Sequence, residues 1–361
     1  MSSHPQIIWR FLKDEPPCDL IVAWHKLCQE SKLISASSTP SFALNANKLI
    51  QADVFYAFGY INEQLVTALP LVIKSSKRFG LHFRYLQVAT HDHLDYFVAA
   101  GQSELSESEL LESLIGACRN QISGWNLFFS RRWFFESEVE PGLTSQSYSR
   151  QAAYFDLTEK LDINDVISKK LFKNLTRFEK KLIASNESLE LEQIQQPSRI
   201  QAALDIFYQI EAAGWKGNAG SAISQTKSLQ LFYDQCWDDF ANNGNAVVFL
   251  LKQATHSIAA CIAFKHNKTL FLHKIAYDEG LAKLSPGSVL VKRIIENGIK
   301  QSSIHKICFN TNPPWVQRWH PQLDQLKSIQ AFNYNIKGYT IRVAVRIYYA
   351  LRNIKRRIKK T

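Results

Sequence analysis

One stretch narrows the possible folds more than any other. It runs from Phe271 to Trp319 and reads FLHKIAYDEGLAKLSPGSVLVKRIIENGIKQSSIHKICFNTNPPWVQRW. An apolar strand over Thr269–Tyr277 leads into a loop that ends in Ser285-Pro286-Gly287, and an amphipathic helix follows at once. Ser285 is a favoured helix N-cap residue, and Pro286 suits the first helical position, where its missing N–H costs little. Val289, Leu290, Ile294, Ile295 and Ile299 recur at helical spacing, with Gly298 near the end, and a second strand follows over Ile304–Phe309. A helix that starts directly after a strand points free backbone N–H groups outward, which suits a phosphate or pyrophosphate. A well-capped helix in a mixed sheet domain accounts for the same residues without any ligand.

The order of elements around this stretch occurs twice. In the first half, Val54–Tyr60 and Leu65–Ile73 are β-rich runs joined by Ile61-Asn62-Glu63-Gln64, an expected hairpin. A strand near Phe83–Val88 follows, then a helix over Glu104–Ile122 with Leu110, Leu111, Leu114, Ile115 and Cys118 on one stripe, then a strand over Trp125–Phe129. In the second half the same series runs Ala246–Lys252, Ser257–Lys265, Thr269–Tyr277, then the helix from Pro286 to Ile299, then Ile304–Phe309. The expected class is therefore mixed α/β (α+β), two mostly antiparallel twisted sheets flanked by helices. The segment to about Ser38 reads as partly helical, Gly142–Arg150 as the start of a linker and Tyr154–Leu157 as a connecting strand. Residues 167–182 read as a basic helix, with Leu171, Leu175, Phe178 and Leu182 on its apolar stripe.

A chain of 361 residues suits two domains. No apolar run reaches the length of a membrane span, because Leu65–Ile73 is broken by Thr67 and Pro70. The amino terminus lacks the apolar core of a signal peptide, and the six cysteines are scattered as buried free thiols would be, so the expected compartment is the cytoplasm. The net charge of +11 is local: after Asp324 there is no acid, and ten Lys and Arg follow. A balanced body with one basic end excludes a basic surface throughout and points to one local contact. That tail, from Tyr339 to Lys360, reads as a helix with Val343, Ile347, Leu351, Ile354 and Ile358 on one stripe. It is expected to pack on its own domain at its start and leave a cationic end free, in peripheral contact with an anionic membrane face. Nucleic acid is not expected, since the tail offers few aromatic platforms beyond Tyr348 and Tyr349.

Several motifs, taken in order, resemble the GNAT superfamily of acetyltransferases, in the CelD-like subgroup of polysaccharide loci close to the FemAB-like proteins. They are Ser168-Lys169-Lys170-Leu171 with Arg177, Glu211-Ala212-Ala213-Gly214-Trp215-Lys216-Gly217, Ala276-Tyr277-Asp278, Ser285-Pro286-Gly287 and the approach to Trp319. The likeness extends more weakly through Leu65–Ile73 and Leu94-Asp95-Tyr96, and covers roughly Asp53 to Phe332. It implies two tandem GNAT-like domains: residues 1–150 without a working cofactor site, residues 151–338 carrying acyl transfer, and residues 339–361 as the basic tail. It also implies acetyl-CoA or another acyl-CoA as donor, and an amine or hydroxyl of a sugar or envelope and exopolysaccharide precursor as acceptor. The other readings are a FemAB-like aminoacyl transferase and a catalytically silent scaffold.

Carried over residue by residue, the resemblance places the pyrophosphate at Leu284, Ser285, Pro286, Gly287 and Ser288. The Q/R-x-x-G-x-G/A loop of simple GNAT enzymes is absent in that form. Glu211 is the expected base, with Tyr277 and His273 as further catalytic candidates; Trp215, Lys216, Asp278 and Trp315 are expected to hold the acceptor. Each has a plainer reading: a helix-end carboxylate for Glu211, a core histidine for His273, packing for Tyr277, Trp215 and Trp319, a turn for Asp278. The subgroup commonly has Tyr-Lys where this chain has Trp315-Val316. His91-Asp92-His93 with Asp95 has metal-ligand residue types, but the resemblance explains that loop without metal, and no metal is expected.

Overall fold

The structure is a computed structural model, and it describes residues 6–50, 52–78, 80–89, 97–101, 107–134, 144–145, 150–183 and 188–358. The His91–Asp95 cluster, Leu94-Asp95-Tyr96 and most of the expected linker lie outside those residues.

The first half contains β1 (Ile8–Leu12), α1 (Cys18–Glu30), α2 (Pro40–Leu49), β2 (Asp53–Ile61), β3 (Gln64–Arg78), β4 (Leu81–Val88), β5 (Ala100–Gly101), α3 (Glu107–Gln121), β6 (Leu127–Phe134) and β7 (Thr144–Ser145). The second contains β8 (Arg150–Asp156), α4 (Lys169–Ile183), β9 (Leu189–Ile194), α5 (Pro197–Ala213), α6 (Trp215–Asn218), α7 (Lys227–Asn242), β10 (Ala246–Gln253), β11 (His256–His266), β12 (Thr269–Tyr277), α8 (Pro286–Gln301), β13 (Lys306–Cys308), α9 (Pro314–Gln317), β14 (Gln322–Phe332) and α10 (Ile336–Ile358). The expected hairpin is β2–β3, and it turns at Asn62 (φ 48°) and Glu63 (φ 64°). Positive φ at both central residues matches the twist of the flanking strands.

All the longer strands join one sheet in the order β1-β2-β3-β4-β6-β14-β8-β13-β12-β11-β10-β9. This order reads alike from both ends. β4 lies parallel to β6, as β12 does to β13, and every other pair on the path is antiparallel. The halves therefore repeat one topology, with an exchange at the centre. β8, made directly after the first half, pairs with β13; β14, made after the second, pairs with β6. The expected connecting strand at 154–157 is thus a central strand, and the 151–338 span contributes β14 to the first half's edge. The amino-terminal segment, expected to be partly helical, also supplies an edge strand: β1 pairs with β2 before α1 begins.

Alternation along the strands gives each sheet face its own core. One core spans both halves and gathers Trp24, Phe42, Phe58, Phe207, Tyr233, Trp237 and Phe264 beneath α1, α2, α5 and α7. On the opposite face α3 covers the first half, and α4 with α8 the second. α4 is tied to α8 by buried Glu179, which accepts from Lys292 Nζ at 2.8 Å and from Arg293 Nε. Asn267 Nδ2 donates to the carbonyls of Ser31 and Lys32, and His266 Nε2 lies 2.8 Å from the Ser31 carbonyl, so the β11–β12 turn clasps the end of α1.

Five of the six cysteines are buried and Cys18 is exposed. Burial pushes the Cys28 and Cys308 thiols up to about 12 and raises Cys118 and Cys261 as well. Because the thiolate is the reactive form, a disulfide reagent at neutral pH is expected to titrate one thiol in the native protein and six in denaturant. A native count above two contradicts this packing.

One expectation needs correction. Ser285 does start α8, but at φ 49° and ψ 54°, and its side chain makes no capping bond. It also ends the 3-10 turn Glu279–Leu284, and that left-handed junction takes its hydroxyl out of capping geometry. α10 packs on its own domain at its start, where Ile341 is 3% exposed, and beyond it Val343, Ile347, Leu351 and Ile354 are all exposed.

Candidate functional site

The two parallel strand pairs are the places where this sheet can open, and among the described residues only one of them does. β12 and β13 pair from Thr269↔Lys306 to Phe271↔Cys308. From Leu272 to Tyr277, β12 has no strand partner on that side among the described residues, and Asn310 Nδ2 reaches over to the Leu272 carbonyl at 3.5 Å. β4 and β6 pair only at Tyr85↔Leu127 and Leu86↔Phe128. Their divergence is filled by Phe97, which forms a parallel bridge to Trp133 and takes the Phe134 N–H on its carbonyl at 2.9 Å. The Phe97 and Trp133 rings meet edge to face at 5.0 Å.

Two further differences follow the same division. The register between β11 and β12 slips after Ile262↔Lys274 to Ala263↔Leu272, leaving His273 as a bulge residue. β3 and β4 pair without a slip. A bulge re-aims a side chain and weakens local pairing. The helix starts differ too. α3 carries Glu107 and Glu109 in its first turn, whereas α8 has no acid there. The α8 start is thus compatible with an anion and the α3 start is not.

At the α8 start the Ser285 carbonyl accepts the N–H groups of Ser288 and Val289. Pro286 has no N–H, and the Gly287 N–H has no acceptor among the described residues. Gly287 is buried against the splayed end of β12, where an added Cβ would lie 3.1 Å from Tyr277 Cδ1 and 3.7 Å from Ile275 Cγ2. Leu284 and Ser288 flank it, partly buried. α4 packs against both α8 and the Glu279–Leu284 turn, and its Lys169, Lys170, Lys173, Arg177 and Lys180 are exposed. The Gly287 amide at an acid-free helix start, the end of β12 beyond its pairing with β13 and a nearby cationic helix together fit the pyrophosphate and thioester arm of an acyl-CoA.

The Glu211–Gly217 motif forms the opposite wall. Trp215 N–H donates to Glu279 Oε1 at 2.7 Å, so the α5–α6 junction rests on the turn that precedes Ser285. Trp215 is 60% exposed beside it, while Trp319 is buried. Glu211 is buried, and both its oxygens are engaged: Oε1 accepts from Lys216 Nζ at 2.5 Å and Oε2 from the Ile223 N–H at 2.9 Å. It is therefore not the surface carboxylate of a helix end, and Lys216 is paired with it. His273 Nε2 lies 3.1 Å from the Tyr233 hydroxyl, and its ring packs on Tyr233 and Trp237 of α7. Tyr277 is 37% exposed at the end of β12. Asp278 is an exposed turn residue that accepts the Gly280 N–H at 2.8 Å. Trp315 sits further off, half-buried between Phe309 and Trp319.

Glu279, Tyr233 and Asn310 were not expected from sequence. Glu279 could have been noticed, since it directly follows Tyr277-Asp278 in the motif. Nothing local marks Tyr233, which meets His273 only through tertiary packing.

Residues 169–314 match the family model described as Acetyltransferase (GNAT) domain. No curated protein sequence matches the chain. Among solved structures the chain is similar to FemX, with TM-score 0.57 and 8% identity over 88% of this chain and 96% of that one. It is also similar to L-PGS from Bacillus licheniformis, with TM-score 0.55 and 12% identity over 92% and 97%. A third likeness is to a conserved protein of unknown function from Bacteroides thetaiotaomicron, with TM-score 0.55 and 11% identity over 90% and 100%. At such identities the likeness is one of fold. The architecture is a GNAT fold.

Proposed function

We propose that the second half binds an acyl-CoA between β12 and the start of α8 and transfers the acyl group, with acetyl the favoured one, to an amine or hydroxyl of a sugar or other envelope precursor. One observation carries the reading: of two topologically equivalent clefts, only the second is, among the described residues, open, bulged and free of acid at its helix start. Residues 284–288 would hold the pyrophosphate and the end of β12 beyond its pairing with β13 the thioester arm; when bound, the thioester supplies an activated acyl group. Edge amides between Ile275 and Tyr277 can donate to charge developing on the acyl oxygen.

The acceptor approaches from the α5–α7 side, beneath exposed Trp215, whose ring suits a sugar face. Asp278 lies at the rim, within reach of an acceptor hydroxyl. Because Lys216 and Ile223 occupy both oxygens of Glu211, the base role falls to His273. Its place at the bulge and its contact with the Tyr233 hydroxyl let it take the acceptor's proton. Tyr277 supplies a proton to the departing sulfur. Val316, at the subgroup's Lys position, is fully buried, so no ammonium group acts there. That single observation favours a second reading, a binding protein with no turnover. A lipid-linked precursor would place the protein on the cytoplasmic membrane face, where its cationic end suits anionic lipid.

Calorimetric titration of acetyl-CoA and CoA, followed by an acceptor screen, tests the proposal; absence of binding to either would refute it. His273→Gln is expected to lower kcat about 10²–10⁴-fold and to flatten the basic-form limb of the pH–rate profile, leaving acetyl-CoA affinity unchanged. An unchanged profile would remove His273 from the base role.

A further inference from the structure

α10 shows the protein one face and solvent another. Ile341 is 3% exposed, and Gly338 sits so close to the chain that an added Cβ would lie 2.3 Å from the Asn333 carbonyl oxygen. The other face carries Ile336, Tyr339, Val343, Ile347, Leu351 and Ile354, between 41% and 87% exposed. Their spacing of three and four residues makes one continuous stripe. Water is a poor partner for such a row, since single exposed apolar residues are common but contiguous ones mark a contact.

The charge on the same helix decides what covers it. Lys337, Arg342, Arg346, Arg352, Lys355, Arg356 and Arg357 lie within α10, with no acid among them. A second copy laid stripe to stripe would double the positive charge at close range without one carboxylate to answer it. The α10 stripe also cannot cross a bilayer, since no helix among the described residues is long and apolar enough to do so. A surface that accepts an apolar stripe and attracts its cationic flanks is the interface of an anionic bilayer.

We propose that α10 lies in the plane of an anionic membrane, its Ile336–Ile354 stripe at the boundary of headgroups and acyl chains and its Lys and Arg among the phosphates. This deepens the reading above, on which it rests for the acceptor, by replacing purely electrostatic contact with shallow insertion. The helix leaves the sheet at the end of β14, and β14 runs parallel to β13 through their shared neighbour β8. The tether thus springs from the end of the sheet toward which the β12–β13 cleft opens.

The test compares vesicles of phosphatidylcholine alone with vesicles containing phosphatidylglycerol. The full chain is expected to co-sediment only with the second. Val343→Asp with Ile347→Asp should weaken that binding at least about tenfold, since two buried aliphatic side chains are lost. Both residues are exposed, so the variant should keep the parent melting temperature and acetyl-CoA titration. Failure of membrane binding is thereby separable from failure of the acyl-CoA site. Equal pelleting of parent and variant, or no pelleting of either, overturns the proposal. So does a dimer seen in sedimentation velocity and abolished by the same pair, which would assign the stripe to a second copy.

Discussion

Gly287→Glu is expected to weaken acetyl-CoA binding at least about a hundredfold, or ~2.7 kcal/mol. Two effects combine. The new side chain must leave the backbone toward Tyr277 and Ile275, where even a Cβ meets Tyr277 Cδ1 at 3.1 Å. Its carboxylate then competes for the helix start that the proposal reserves for a pyrophosphate, and like charges in one site repel. Gly287→Ala separates the two: it brings the close contact without the charge and should cost far less affinity. Parent-like binding by the Glu variant, measured calorimetrically, would move the cofactor away from α8.

Glu211→Ala should lower the stability of the folded chain by about 3 kcal/mol, read from urea denaturation. Its carboxylate is 3% exposed and holds Lys216, itself only 25% exposed, together with the Ile223 N–H. Removing it strands a half-buried cation and a buried donor, which costs more than losing an average contact. Glu211→Gln keeps an acceptor for Ile223 and should recover part of the loss. A Gln variant with parent stability and no turnover would return the base role to Glu211. The same turn tolerates no side chain at Gly217, where a Cβ would lie 1.7 Å from the Ala212 carbonyl oxygen.

Local periodicity reported much of this fold. The α8 stripe, the α3 stripe, the β2–β3 hairpin and the doubled series of three strands, helix and strand are all present close to their expected bounds. Each depends on neighbours three or four residues away, or on alternation, so a reader of sequence can see it. β9 went unnoticed because the alternation of LELEQI lasts only as far as Glu192 before Gln193 breaks it, and β14 because QLDQLKSIQAF is largely polar at a strand central to the sheet. The bulge at His273 is a property of register between two strands, and no residue in β12 announces it. Motif resemblance singled out residues 284–288 and the Glu211–Gly217 turn but said nothing of their bonds. That Lys216 is spent on Glu211, and that Ser285 does not cap its helix, depend on backbone angles and long-range packing.

The exchange of β8 and β14 has a consequence for how the chain is made. β6 is complete at Phe134, but the strand that covers its free edge starts at Gln322, close to two hundred residues later. At roughly 5–20 residues per second that is about 10–40 s of synthesis. Throughout it, Trp133 and its neighbours present an open strand edge to the crowded exit of the ribosome. The amino-terminal half cannot settle as an independent early product; it waits for the last strand of its successor.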